Sequence, residues 1–305
     1  MELAARLGAG FGAAAADVGR RTERAIHRLA RPTAYALAPV LLRQARRAQE
    51  SLIGLPEPRD ERHGQVGEQH DGEPLRLLLV GDSTATGVGA ERLEEALAVQ
   101  TALLLAGRRQ RPVAWRIIGQ EGSNAADVLR RDLPQVDGPD RDAIVLLVGA
   151  NDAMQLVSRR AFARSVGLLV DGLAEHLAPG GVIAVAGAPQ IDTFAWLPQP
   201  MRSLLGGHAR SLDDALQRIA AADPRVIHLP TPAILEPAWH ASDGFHPSAA
   251  GYAMWAQLIA PQLDAALAER RDRAWAGSAP AAAGDAPHAA TRPTSVTSIN
   301  VGGPT

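Results

Sequence analysis

Cysteine and lysine are both absent from this chain of 305 residues. Without cysteine, the protein can form no disulfide framework, no thiolate metal site and no cysteine nucleophile. The same absence removes the usual clue to the cellular compartment. All 31 basic residues are arginine, a usage that we attribute to the coding bias of a GC-rich genome.

A strong net charge and a long apolar run are also missing. The formal net charge is −2, whereas the phosphates of a nucleic acid require a basic face, so we expect no nucleic-acid partner. The longest uncharged stretch near the N-terminus, residues 32–42, is too short to span a membrane. The first residues also lack the basic region and strong apolar core of a secretory signal. We therefore expect the protein in the cytoplasm or at the periphery of the inner membrane.

The two ends of the chain differ in composition from its middle. Residues 1–55 are rich in alanine and arginine, and apolar residues recur there at helical spacing, as in the series Leu41, Ala45, Ala48 and Leu52. This pattern predicts amphipathic helices. Such helices could make peripheral contact with an anionic membrane, cover an apolar surface of the core, or pair with each other. The polar residues 56–74 are predicted to be a linker, and residues 273–305 a disordered tail.

Residues 75–272 alternate between strand and helix patterns. Continuous apolar runs predict five strands, at residues 75–80, 113–118, 143–148, 182–186 and 226–229. Strands alternating with helices indicate an α/β fold, with a five-stranded parallel sheet between two layers of helices. In open sheets of this type, functional sites form at the carboxyl ends of the strands.

Three motifs with chemically capable side chains follow predicted strands. Residues 81–84 (GDST) follow the first strand and residues 149–152 (GAND) the third, while residues 243–246 (DGFH) come after the fifth. A serine hydroxyl is a poor nucleophile unless an adjacent base takes its proton. We predict that Ser83 is the nucleophile and that His246 is its base. Asp243 would then fix the tautomer of the histidine and stabilise its charged form.

The oxyanion of a tetrahedral intermediate requires preorganised hydrogen-bond donors. We expect the backbone N–H groups of Ser83 and Gly122 and the side-chain amide of Asn151 to supply them. Gly122 lies in residues 119–124 (GQEGSN), after the second predicted strand. The missing Cβ of a glycine permits close approach. Gly119 is the nearby alternative.

Serine, glycine, asparagine and histidine, in this order and these contexts, resemble the SGNH/GDSL hydrolase superfamily, as found in bacterial GDSL-type esterases and lipases. The first motif reads GDST rather than GDSL. The resemblance covers residues 75–272 and implies a flavodoxin-like three-layer fold. It also implies ester hydrolysis through an acyl-enzyme intermediate, without a cofactor or metal, in which Ser83, Gly122 and Asn151 form the oxyanion hole. Gly122 is preferred to Gly119 because the family's glycine usually precedes a small polar residue and a helix.

The substrate class is less specific than the family. An unusually apolar segment, residues 193–201, follows the fourth strand and looks like an FxxLPxPxR stretch of bacterial GDSL-type lipases. Phe194, Trp196 and Leu197 are therefore candidates to line an acyl pocket, although they could equally pack onto the following helix. The expected partner is a small-molecule ester or lipid. The alternatives are a carbohydrate O-deacetylase of the same fold and a non-catalytic SGNH-like binding domain.

Overall fold

The computed structural model describes residues 40, 43–44, 54–138, 140–233 and 236–278. Almost all of the predicted N-terminal helices, and with them the proposed membrane contact, lie outside these residues. Most of the predicted tail does so as well. The final helix ends at Ser278, so the folded part extends beyond residue 272, where the tail was predicted to begin.

The described residues form one six-stranded sheet with the order β1-β3-β2-β4-β5-β6. Five of its strands are parallel to one another, and β1 pairs antiparallel with β3. The α/β class and the layered architecture are thereby confirmed. The strands are β1 (His63–Val66), β2 (Leu75–Gly81), β3 (Val113–Gly119), β4 (Arg141–Leu147), β5 (Leu177–Ala186) and β6 (Val226–Leu229).

The expected count of five strands is corrected by β1, which lies inside the predicted polar linker. Its four residues, HGQV, alternate between exposed and half-buried positions and contain no apolar run. Its place is the edge of the sheet, with His63 opposite Arg116 and Val66 opposite Val113. An edge strand that is exposed on one side needs little apolar surface, which is why hydrophobicity alone did not reveal it.

Helices lie between the strands and after the last of them. One of them begins at Met201, and another ends at Arg109, beyond which Gln110 adopts a left-handed conformation (φ 48°). The helices are α1 (Ser83–Thr86), α2 (Leu97–Arg109), α3 (Ala125–Asp127), α4 (Ala150–Met154), α5 (Arg159–Ala174), α6 (Met201–Ala222) and α7 (Ala249–Ser278).

Alternation along the central strands creates two hydrophobic cores, one on each face of the sheet. Leu77 and Leu79 of β2 join a cluster with side chains of α2 and α7, whereas Leu78 and Val80 join a second cluster with α5 and α6. Each of these four side chains is almost completely buried, and burying one contributes about 1.5–3 kcal/mol. Packing on both faces therefore fixes the position of the end of β2 and of the residues that follow it.

None of the helices within the described residues is long and apolar enough to cross a membrane.

Candidate active site

Ser83 lies immediately beyond the carboxyl end of the central strand β2. Asp82 caps the short helix α1, since its carboxylate accepts a hydrogen bond from the Thr84 N–H (3.0 Å). Gly87 ends the helix in a left-handed conformation (φ 83°). Strand, cap and terminating glycine together place the Ser83 hydroxyl at the end of the sheet, in a side chain that is 4% exposed.

His246 joins Ser83 to Asp243. Its Nε2 lies 2.9 Å from Ser83 Oγ and its Nδ1 lies 2.5 Å from Asp243 Oδ2. The second carboxylate oxygen, Oδ1, accepts the backbone N–H groups of Phe245 (2.9 Å) and His246 (3.0 Å). This is the arrangement of a Ser–His–Asp triad. The structure thus brings together the three residues that were predicted as catalytic.

The environment of Asp243 favours its charged form. Burial alone would raise the pKa of this carboxyl group, but the hydrogen bonds from His246 and from the Phe245 N–H outweigh burial and lower it. Asp243 is therefore a carboxylate at neutral pH. A carboxylate at this position holds a proton on Nδ1 of the histidine and leaves Nε2 free to accept the serine proton.

A second loop packs against the histidine loop at Gly89. A Cβ atom at Gly89, whose φ is 101°, would lie 2.2 Å from the carbonyl oxygen of Pro247. The buried Tyr252 of α7 donates its hydroxyl to the carbonyl of neighbouring Val88 (2.7 Å). These contacts hold residues 87–89 against the histidine loop.

The candidate oxyanion donors follow β3 and β4, the two strands that flank β2 in the sheet. Asn151 opens α4 after β4, and its Nδ2 donates to the carbonyl of Ser123 (3.0 Å). Gly122 lies in the turn after β3, with φ 77°, and no atom lies within 4 Å of the position that a Cβ would occupy. The structure therefore links Asn151 directly to the residue that follows Gly122.

Two buried aspartates, Asp82 and Asp152, accept hydrogen bonds from backbone N–H groups around these donors. Asp152 Oδ2 accepts the N–H of Ala125 (3.0 Å), which joins the asparagine helix to the segment that follows Gly122. Burial raises the pKa of Asp82 to about 6, against the opposing effect of its hydrogen bond with Thr84. Burial, reinforced by the charge of Asp82, raises the pKa of Asp152 to about 6 as well.

Sequence reasoning missed two further residues that contact the site. Glu57 accepts hydrogen bonds from the Thr86 hydroxyl and from the Glu121 N–H, and Arg62 contacts both Glu57 and the Gly119 carbonyl. Both residues lie in the segment predicted to be a linker. A Glu and an Arg in a polar stretch give no signal of this kind, because only the three-dimensional fold brings them to the site.

A largely apolar cleft, partly open to solvent, adjoins Ser83 and His246. Polar groups on its wall come from Gln190, Thr193 and Thr231. Its apolar lining includes Leu147, Val148, Ala186, Pro189, Phe194, Phe245, Pro247 and Trp255. The cleft therefore provides an apolar surface next to the reactive hydroxyl.

The three candidate substrate-binding residues occupy different places. Phe194 lines the cleft and packs edge-on against Phe245, with ring centroids 5.6 Å apart. Leu197 is instead buried in the core cluster formed with α5 and α6. The Trp196 ring packs edge-on against the Phe245 ring, with centroids 6.4 Å apart, and lies over Gly244. Only Phe194 of the three lines the cleft.

The family model of the GDSL-like lipases and acylhydrolases matches residues 79–254, which is more than half of the chain. The chain belongs to this family. The matched residues run from β2 into α7 and include Ser83, Asn151, Asp243 and His246.

A curated relative, the GDSL-like esterase Rv1075c of Mycobacterium tuberculosis, is 32% identical over 209 residues. The match covers 65% of this chain and 64% of the relative, less than two thirds of its length. Among solved structures, a lipase/acylhydrolase from Enterococcus faecalis is 19% identical, with a TM-score of 0.47 and coverage of 62% of this chain and 95% of that one. A family two carbohydrate esterase from Clostridium thermocellum is 15% identical, with a TM-score of 0.47 and coverage of 65% and 66%.

Proposed function

We propose that this protein is a serine esterase that cleaves acyl esters through a covalent acyl-enzyme intermediate. The observation that carries the proposal is the hydrogen-bonded series from Ser83 to His246 (2.9 Å) and from His246 to Asp243 (2.5 Å). Ser83 and His246 line a cleft whose wall is mainly apolar. A nucleophile, a base, an orienting carboxylate and an apolar binding surface are the parts that acyl transfer requires.

In the first half of the reaction, Ser83 Oγ attacks the ester carbonyl carbon while its proton passes to His246 Nε2. The carboxylate of Asp243 stabilises the imidazolium that forms. The carbonyl oxygen becomes an oxyanion, which the backbone N–H groups of Ser83 and Gly122 and the amide of Asn151 stabilise. An amide nitrogen has two N–H groups, so Asn151 can donate one to Ser123 and the other to the oxyanion.

The intermediate then collapses, and the alcohol leaves with the proton from His246. In the second half, His246 takes a proton from a water molecule, whose oxygen attacks the acyl carbon. Breakdown of the second tetrahedral intermediate releases the carboxylic acid and returns the proton to Ser83. Each half uses the same oxyanion donors, so loss of one donor slows both.

The apolar cleft supports acyl esters as the substrate class. Burial of apolar surface stabilises a bound chain by about 0.8 kcal/mol per methylene group, or roughly fourfold in kcat/KM when the group is fully buried. Esters of short to medium chain length should therefore react faster than acetates. A carbohydrate O-deacetylase would show the opposite order, with acetylated sugars preferred.

The nucleophile is tested first. Ser83→Ala should fold normally and lose about four to six orders of magnitude in kcat on nitrophenyl esters, because members of a triad act as a unit. A fluorophosphonate probe should label Ser83 in the wild-type protein. Labelling at another residue, or an active alanine variant, contradicts the proposal, and a protein that neither reacts nor is labelled is a binding domain.

The acyl cleft is tested with a chain-length series. Phe194→Ala should flatten the dependence of kcat/KM on chain length without abolishing activity, since Phe194 lines the cleft. Trp196→Ala, in the same loop but outside the lining, is the matched control and should preserve the dependence. A wild-type profile that peaks at acetate and does not change in Phe194→Ala excludes an acyl-binding role for the cleft.

A further inference from the structure

Glu57 bridges two segments of the candidate site that are far apart in sequence. Its Oε1 accepts a hydrogen bond from the Thr86 hydroxyl (2.9 Å) and another from the Glu121 N–H (3.1 Å). Thr86 belongs to the same short helix as Ser83, and Glu121 directly precedes Gly122. One carboxylate oxygen therefore connects the helix of the nucleophile to the turn of an oxyanion donor.

The Thr86 hydroxyl and the Glu121 N–H, which donate to Glu57, have restricted orientations. Thr86 is 1% exposed, and its single hydroxyl proton has the Ser83 carbonyl (3.2 Å) as its other acceptor within reach. The contact with Glu57 is the shorter of the two. The Glu121 N–H belongs to the peptide unit before that of the Gly122 N–H, so a hydrogen bond at the first restricts the orientation of the second.

Arg62 holds the Glu57 carboxylate in place. Its Nη2 contacts Glu57 Oε2, and its Nη1 donates to the carbonyl of Gly119 (2.7 Å) at the end of β3. The Arg62 carbonyl in turn accepts the N–H of Ile117 (2.8 Å). An exposed ion pair contributes little by itself. This pair is only partly exposed, at 24% for Glu57 and 40% for Arg62, and its hydrogen bonds reach α1 through the Thr86 hydroxyl and the backbone of residues 117–121.

We propose that Glu57 and Arg62 form a clamp that positions the Gly122 turn relative to Ser83, and that they thereby sharpen stabilisation of the oxyanion. Both precede residue 79, where the match to the family model begins. The inference rests on the proposed function. A displacement of about 1 Å in a catalytic group can cost about 100-fold in rate, so a clamp that positions an oxyanion donor can have a measurable effect on kcat.

The central test is Glu57→Ala. We expect kcat to fall about 10- to 100-fold with KM changed less than about twofold, because the clamp serves the transition state rather than substrate binding. Affinity for a boronic acid, which forms a tetrahedral adduct with Ser83, should fall by a similar factor. Glu57→Gln keeps a carbonyl oxygen that can accept from Thr86 and Glu121, but its NH2 group cannot accept from Arg62, so it should recover only part of the lost rate.

Glu94→Ala is the matched control. Glu94 also pairs with an arginine, Arg92 (2.7 Å), but both side chains are largely exposed and their recorded ion pair involves no residue of the site. This variant should retain wild-type kcat, KM and boronate affinity. A rise in KM alone for Glu57→Ala, or no recovery in Glu57→Gln, overturns the clamp. So does a kinetic loss that simply matches the unfolded fraction in a thermal melt.

Hydrogen–deuterium exchange separates failure of the clamp from failure of the proposed function. Amides in residues 119–124 should exchange faster in Glu57→Ala than in the wild type and in Glu94→Ala. If Glu57→Ala does not fold, Arg62→Gln provides the same comparison, because it releases the carboxylate. Unchanged exchange in this turn overturns the clamp whether or not the protein hydrolyses esters. If exchange changes but the wild type is inactive on every ester, the proposed function fails and so does the kinetic role of the clamp.

Discussion

The acid–base side of the site and its oxyanion side are built in different ways. His246 and Asp243 lie on one loop, and both oxygens of Asp243 are used within that loop, by the histidine ring and by the two backbone amides that follow. The oxyanion side collects its groups from the loops after three strands, β2, β3 and β4. Ser83, Gly122 and Asn151 depend on long-range contacts for their mutual position.

This difference separates what is locally encoded from what depends on the whole fold. Because Asp243 and His246 lie close together in sequence on one loop, that loop largely determines their relative geometry. The geometry between Gly122 and Ser83 depends on other residues, among them Glu57 and Asp152, which contact the turn from distant parts of the chain. We therefore expect variants on the acid–base side to have large direct effects, and variants of the distant contacts to have smaller, graded effects.

The largest of these effects is expected for Asp243→Asn. The amide keeps the shape of the carboxylate, but it no longer stabilises the imidazolium or enforces the tautomer, so kcat should fall by roughly 10³- to 10⁴-fold. Steady-state kinetics on a nitrophenyl ester measures the loss. The protein contains a matched control in a second histidine–aspartate pair, His228 and Asp213 (2.9 Å), whose hydrogen bonds do not include Ser83. Asp213→Asn should leave the rate close to that of the wild type, and equal losses in both variants would contradict the assignment of Asp243.

Asn151→Ala should have the next largest effect. Removal of one oxyanion donor costs about 10²- to 10³-fold in kcat, and KM should change little because the ground-state carbonyl carries less charge than the oxyanion. The Ser123 carbonyl also loses its donor in this variant. A loss confined to KM would make Asn151 a substrate-binding residue, and the contrast between the two sides of the site would then disappear.

The sequence predicted the parts of the molecule whose signals are local. Apolar runs identified the five parallel strands. The motifs identified Ser83, Asp243 and His246, which the structure joins by hydrogen bonds, whereas the oxyanion role of Asn151 stays a prediction. The edge strand β1 escaped because it buries little apolar surface.

Glu57 and Arg62 escaped because hydrogen bonds between segments leave no periodic pattern in a sequence. The position of Leu197 could not be predicted from the sequence either. An apolar residue in a loop looks alike whether it faces a cleft or a core, and only the packing of α5 and α6 shows that this side chain is buried in the core.

The smallest effect is expected for Asp152, whose carboxylate links α4 to the segment after Gly122. Burial, reinforced by the charge of Asp82, raises its pKa from 3.8 to about 6. Between about pH 4 and pH 6 the folded state therefore binds more protons at this group than the unfolded state does, so stability should fall as the pH rises through this window. Carboxyl groups with a lowered pKa, such as Asp243, act in the opposite direction, but only below about pH 4.

Asp152→Asn removes this titration while it keeps an oxygen that can accept the N–H of Ala125. Acidification from pH 7 to pH 5 should therefore raise the free energy of unfolding less in the variant than in the wild type, by about 1 kcal/mol. Urea unfolding at a series of pH values measures the difference. The rate at pH 7 should change only slightly, because the link between α4 and the segment after Gly122 persists. Identical pH profiles of stability would show that Asp152 is already ionised throughout this range, and a large loss of rate would mean that its charge, not only its hydrogen bond, serves the oxyanion side.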